Sequence, residues 1–302
     1  MSLLVVGSVA FDAIESPYGK VERIVGGAAT YFAVAASFFS HVNLVAVVGD
    51  DFSSKDAHIF RGRKIDVSGL ERAAGKSFFW AGRYSENLNE RVTLATELNV
   101  FADFNPKLPE KYKTSKYVFL ANIAPNLQRS VLQQVKGRPK LAALDTMNYW
   151  IERTPADLRE TLKHVDILVI NDSETRQLSS EHNLLRAARH IFKMGPSALV
   201  VKRGEYGAML VDKHGVFCVP GFPLEEPHDP TGAGDSFAGG FMGYLAGCGQ
   251  TSDAALRRAM VYGSVMGSFA VEEFGPNRLT RLKPKEIHAR ARHFAKLTQF
   301  KL

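Results

Sequence analysis

Six near-continuous apolar runs, at residues 3–6, 44–48, 117–120, 141–144, 167–170 and 198–202, each stop at or just before Gly, Asp, Asn or Lys. A strand that is apolar at every position is buried on both faces, as happens in a parallel sheet covered by helices on either side. Helical patterns fall between these runs, at residues 28–39, 173–178 and 183–194. This alternation predicts an α/β fold built on a doubly wound, mostly parallel sheet. Such sheets bind ligands beyond the carboxyl ends of their strands. The polar residues expected there are Asp12, Asp50, Asn122, Asp145, Asn171 and Lys202-Arg203-Gly204.

Two stretches break the rhythm. Residues of about 11–25 and 76–100 alternate apolar and polar side chains, which predicts antiparallel hairpins. They are expected to form a small β lid on one domain spanning residues 1–302. Its open strand edges make a homodimer through the lid a reasonable expectation. No apolar run approaches the ~18–20 residues a membrane helix needs, and no basic n-region opens the chain. Two cysteines, Cys218 and Cys248, make neither a disulfide framework nor a metal pattern. The chain reads as cytoplasmic. Its net charge of +7 is scattered without a basic run or aromatic interleaving, which favours a small anionic ligand over nucleic acid.

The densest chemical signal is His228-Asp229-Pro230-Thr231-Gly232-Ala233-Gly234-Asp235-Ser236-Phe237. Gly232-Ala233-Gly234 reads as a tight turn opening a helix, and bare amides at a helix start make a site for an anion. Asp235 stands at the same terminus. A carboxylate beside an anion hole suits phosphoryl transfer to an alcohol: the amides hold the charge growing on phosphoryl oxygens and the carboxylate accepts the hydroxyl proton. A capped helix start with packing glycines is the plainer reading of these residues taken alone.

The segment Thr231–Phe237 resembles the C-terminal signature of the ribokinase-like, or PfkB-type, carbohydrate and nucleoside kinases. Five further segments are similar to that family in the same order: Gly7-Ser8-Val9-Ala10-Phe11-Asp12, Gly26-Gly27-Ala28-Ala29, Gly49-Asp50-Asp51-Phe52, Asn171-Asp172-Ser173-Glu174, and Val201-Lys202-Arg203-Gly204. The resemblance implies Asp235 as catalytic base, with Gly232, Ala233 and Gly234 as the anion hole. It implies Asp12, Gly26 and Gly27 as acceptor contacts, and Asn171 and Glu174 as organisers of Mg²⁺ through water. On the nucleotide side it implies Lys202, Gly204 and, in a loop resembling the adenine cradle, Asn277. Asp229 matches an aspartate at a monovalent-cation site, so K⁺ is a possible activator. ATP and Mg²⁺ are the implied cofactors.

Pro230 departs from the Thr common at its position and weakens the cation inference. The Lys and Asn that grip ribose near the paired glycines are missing, so ribose itself is a poor candidate. The expected function is ATP-dependent phosphorylation of a small sugar; the alternatives are a nucleoside kinase and a non-catalytic binding protein of the same fold. Neither GxGxxG after the first strand nor GxxxxGK[ST] occurs, which excludes dinucleotide and P-loop sites. Asp145–Trp150 sits at a strand end with no assigned role, either lining the pocket or serving as a buried Trp beside a capping Asn148. On the lid, Phe78, Phe79, Trp80 and Tyr84 could stack on a base; Asn87, Asn89, Arg91 and Asn99 could reach the acceptor, though most of them read as turn and surface residues.

Overall fold

The computed structural model describes residues 2–299. The chain enters the main sheet with β1 (Ser2–Val6), leaves it for a hairpin of β2 (Ala10–Ser16) and β3 (Gly19–Gly26), and turns into α1 (Ala28–Ala36). It returns through β4 (His41–Val48) and β5 (Ile65–Arg72), then forms a second hairpin of β6 (Phe78–Tyr84) and β7 (Arg91–Glu97). There follow β8 (Tyr117–Leu120), α2 (Pro125–Gln134), β9 (Leu141–Leu144), α3 (Asn148–Arg153), α4 (Pro155–Leu162) and β10 (Ile167–Asn171). Next come α5 (Asp172–Ser179), α6 (Leu184–Phe192), β11 (Ala198–Lys202), β12 (Ala208–Asp212) and β13 (Gly215–Val219). Four helices finish the chain: α7 (Ala233–Cys248), α8 (Asp253–Ala270), α9 (Asn277–Arg281) and α10 (Pro284–Thr298).

The main sheet runs β13-β12-β11-β10-β9-β8-β1-β4-β5. Every pair from β11 to β5 is parallel, and β12 and β13 add an antiparallel hairpin at one edge. The unbroken apolar runs follow from this geometry. In β1, Leu3 and Val5 face the layer containing α1, α7 and α8, while Leu4 and Val6 face the layer containing α2, α4 and α6. The two edge strands are β5, which mixes half-buried and exposed residues and lacks the continuous apolar signal, and β13, which is largely exposed; β12 beside it is buried from Ala208 to Val211.

The small sheet has the order β3-β2-β6-β7. Each hairpin is antiparallel as expected, but β2 and β6 join the hairpins in parallel register, with Asp12 opposite Trp80. That join cannot be read from alternation, which is the same for either direction. The first helix stops at Ala36, three residues short of expectation, where the Ser37 hydroxyl caps the carbonyl of Val34.

α1 and α7 pack closely because Gly239 lies under the Phe32 carbonyl, where a Cβ would come within 2.4 Å. Phe32 is fully buried and stacks on Phe119 with ring centroids 4.3 Å apart. Phe32→Ala should lower the unfolding free energy by about 3–5 kcal/mol, measured by urea titration. A loss below about 1 kcal/mol would contradict this packing of α1 on the sheet.

Candidate active site

The signature residues build the floor of the site. Gly232 has φ +73°, and a Cβ there would sit 2.3 Å from the ring of Tyr31, so only glycine fits. No side chain caps α7. The Ala233 amide closes a turn onto the Pro230 carbonyl at 3.1 Å, which withdraws it from the three-amide anion hole that the sequence suggests. Among the described residues the amides of Gly232 and Gly234 have no partner. These two, with the positive end of α7, are what an anion would meet.

Asp235 lies in the first turn of α7 and is half-buried. Burial and the nearby Asp145 carboxylate push its pKa up to about 6, against the pull of Lys202 and Arg91. Lys202 Nζ is 2.8 Å from Asp145 Oδ2, with side-chain exposures of 17% and 7%. Both residues sit at carboxyl ends of strands, as their place after apolar runs implies. Burial alone would lower the Lys202 ammonium; Asp145, Glu174 and Asp235 together hold it above its ordinary value.

Asn171 and Glu174 start α5 as a capping box. Asn171 Oδ1 accepts from the Glu174 amide at 2.7 Å, and Glu174 Oε2 accepts from the Asn171 amide at 2.8 Å. The helix start thus uses one oxygen of each, and among the described residues Glu174 Oε1 has no hydrogen-bond partner. Burial, then Asp145, drives Glu174 up to about 7, which marks a carboxylate in need of positive charge.

The small sheet supplies the facing wall. Asp12, 4% exposed, lies so close to Gly26 that a Cβ there would approach its Oδ2 to 1.9 Å. Burial raises its pKa to about 7; the Gly27 amide opposes this, Asp229 and Asp235 add to it, and Arg91 opposes it. Trp80 and Tyr84 share the face of Asp12 by strand register. The Tyr84 hydroxyl lies 3.0 Å from Thr231 Oγ1. Arg91 places its guanidinium 5.1 Å from the Trp80 ring centre and makes no ion pair among the described residues. Asn89 Nδ2 reaches Glu205 Oε1 at 2.9 Å, beside Gly204.

Other candidates have structural work. Both Asp229 oxygens accept amides, from Thr231 and from Gly275, each at 2.8 Å. Asp50 is exposed and holds the Gly75 amide. Asn277 is exposed at the start of α9, while its neighbour Gly275 packs on Ile24 of β3. Asn122 receives the Trp150 indole N–H at 2.9 Å, and α3 has no side-chain cap, so Asn148 is not one. Phe78 stacks on Phe101 and Phe79 packs into the main core, which removes both from the pocket. Asn87 and Asn99 serve turns. The sequence names Arg91 among the lid residues that could reach the acceptor, but the Tyr84–Thr231 contact emerges only from tertiary pairing, and no local signal announces it.

An open helix start, a desolvated carboxylate beside it and an acidic facing wall are the parts of a phosphotransferase site. The carbohydrate-kinase family model, described as pfkB family carbohydrate kinase, matches residues 1–281. A cytidine kinase of Thermococcus kodakarensis is 31% identical over 255 residues, covering 82% of this chain and 90% of that protein. Two solved structures share the fold at 19% identity. One is a candidate ribokinase II from E. coli in complex with ATP and Mg²⁺, with TM-score 0.79 over 97% of this chain and 99% of that one. The other is the Burkholderia thailandensis nucleoside kinase in complex with inosine, with TM-score 0.77 over 99% and 100%. The chain belongs to the pfkB family of carbohydrate kinases and is a sugar or nucleoside kinase. Among the described residues no helix is long and apolar enough to cross a membrane.

Asp12, Glu174 and Asp235 are all raised, so the folded protein holds protons that the unfolded chain has released. Their contribution is therefore most favourable below the ordinary carboxylate pKa and fades as pH rises through about 6–7. Thermal stability of the free protein should rise as pH falls from 8 to 5. Asp12→Asn should melt higher than the parent at pH 8 and show a flatter pH profile. A parent that loses stability across that window would rule out this account.

Proposed function

We propose that the protein transfers the γ-phosphoryl group of ATP to a hydroxyl of a nucleoside, with Asp235 as general base. The carrying observation is the Asp235 carboxyl, raised to about 6 and standing beside the open Gly232 and Gly234 amides. The acceptor oxygen bonds to the γ-phosphorus as the bond to the β-phosphate oxygen breaks; its proton passes to Asp235 and ADP leaves. The amides meet charge on the phosphoryl oxygens. Asp12 accepts hydrogen bonds from acceptor hydroxyls, which Gly26 and Gly27 allow close to the backbone. Gly204, beside the Asn89 contact, and Asn277 belong to the nucleotide side.

Among the described residues no three His, Cys, Asp or Glu side chains form a metal cage. That suits Mg²⁺, which is held by one or two carboxylates together with phosphates and water. Glu174, with Oε1 free, and Asn171 are the residues to hold it through water; bound with ATP, it supplies positive charge along the phosphates. Asp229, with both oxygens committed to amides, is read as holding its loop rather than as a K⁺ ligand. The small sheet acts as a lid, and its exposed edge, with Val92 and Leu94, is where two copies would pair. An ATP-dependent reaction fits a cytoplasmic enzyme.

A nucleoside is preferred to a free sugar because Trp80, Tyr84 and Arg91 line the face that carries Asp12, giving a base an aromatic and cationic wall. The likeness to a cytidine kinase and a nucleoside kinase supports the same choice. A sugar remains the second reading, favoured by the family match.

ADP release with Mg-ATP should be at least roughly tenfold more efficient, about 1.4 kcal/mol, with cytidine, uridine, adenosine or inosine than with ribose or fructose. The reverse order would establish the sugar reading. Asp235→Asn should cut kcat by roughly 10²–10⁴ while ATP still binds; near-normal turnover would remove Asp235 from the mechanism. Asp12→Ala should raise the acceptor KM well beyond the ATP KM, and equal effects would put Asp12 on the wrong side of the site.

A further inference from the structure

The Asp145–Lys202 pair has no role in the steps above, and its placement is physically odd. Lys202 lies against Gly234 so closely that a Cβ there would come within 3.1 Å of Nζ. An ammonium beside the positive end of an uncapped helix is in an unfavourable field. Burying both charges costs free energy that a single contact does not readily offset. Asp145 gives Nζ its one hydrogen bond among the described residues, at 2.8 Å, so two of the three N–H donors remain open. A cation with open donors, held beside two open amides, lacks only an anion between them.

We propose that Lys202 is a catalytic residue that contacts the transferring phosphoryl group across Gly234, and that Asp145 is a positioning residue that holds Lys202 there. This rests on the kinase reading of the same site. The sequence suggests Lys202 for the nucleotide side; the contact with Gly234 moves it to the reacting phosphate. In the step already balanced above, Lys202 makes and breaks no bond. Its N–H groups meet the equatorial phosphoryl oxygens as the acceptor oxygen attacks, and it stays charged because Asp145 is its neighbour. Asp145 sits at the end of β9 and Lys202 at the end of β11, so two strands of a rigid sheet fix the distance between them.

The pair also sets the surroundings of the base. The charged and titratable groups that face Asp235 are Asp145, Lys202, Asp12 and Arg91 of the small sheet, and Tyr31 of α1. Asp145 raises the Asp235 carboxyl and Lys202 lowers it. Removing one member or the other should therefore move the acid limb of the pH–rate profile in opposite directions, which a merely structural ion pair would not do.

The test uses the full chain with Mg-ATP and whichever acceptor proves active. Lys202→Met should reduce kcat by roughly 10²–10³, the scale for one lost transition-state donor, with the acceptor KM little changed and the acid limb of kcat/KM displaced to higher pH. Asp145→Asn should displace that limb to lower pH and reduce kcat less. Because either single change leaves a buried charge alone, the double variant Asp145→Asn/Lys202→Met is the control for folding. It should fold and keep the low kcat of Lys202→Met, with its acid limb between those of the two single variants. Wild-type kcat in Lys202→Met, or limbs that move the same way in both single variants, overturns the proposal. If Asp235→Asn loses turnover in the same series, that result leaves the kinase reading standing; if Asp235→Asn is also active, both fall.

Discussion

The site depends on one constraint: the positive end of α7 is left uncapped inside a wall of carboxylates. Asp12, Asp145, Glu174, Asp229 and Asp235 all carry raised pKa values, and burial is the first cause in each. Lys202 and Arg91 are the cations that oppose this charge. Hydrophobic packing alone would fill such a space or cap the helix with Ser or Asp. Here Gly232 starts the helix with the Tyr31 ring pressed against it, and no side chain caps the open amides.

The rest of the fold brings these groups to one place. Parallel strands all deliver their carboxyl ends to the same edge, and Asp145, Asn171 and Lys202 follow consecutive neighbouring strands β9, β10 and β11. The helices behind them, α1, α7 and α8, pack closely, with Gly239 meeting α1 and Gly240 meeting Tyr262 of α8. Close packing leaves α7 little room to shift, which fixes its open end relative to the strand ends.

Much of this was legible before the structure. The double-sided strands announce themselves because burial on both faces removes every polar position, and Gly232–Asp235 is a local pattern with a local meaning. The half-exposed edge strand β5 lacks that signature. The withdrawal of the Ala233 amide by the Pro230 carbonyl depends on a turn geometry that the letters do not encode. Asn171 and Glu174 were legible as a pair, but their mutual capping shows why the spacing of three matters even without a ligand. Arg91 is legible only as one of four lid residues that could reach the acceptor, because β7 is an exposed strand; pairing opposite Tyr84, itself joined to Thr231, is what brings it over the site. Asp145 is legible as a strand-end residue, yet its partner lies 57 residues away, beyond any local motif.

The contacts that close the small sheet are few and weak compared with what they enclose. Tyr84 meets Thr231, Asn89 meets Glu205, and the Ser16 hydroxyl donates to the His228 carbonyl at 2.8 Å. Each hydrogen bond is worth about 0.5–1.5 kcal/mol net. Against them stands the repulsion among carboxylates that closure brings together, since Asp229 and Asp235 both raise Asp12 across the gap. On the proposed reading a ligand would change that balance: hydroxyls would donate to Asp12, and cationic charge accompanying a phosphate would answer Glu174 and Asp145. On that reading the closed arrangement would be best stabilised with both substrates present, which would tie exclusion of water to the assembly of the reacting groups.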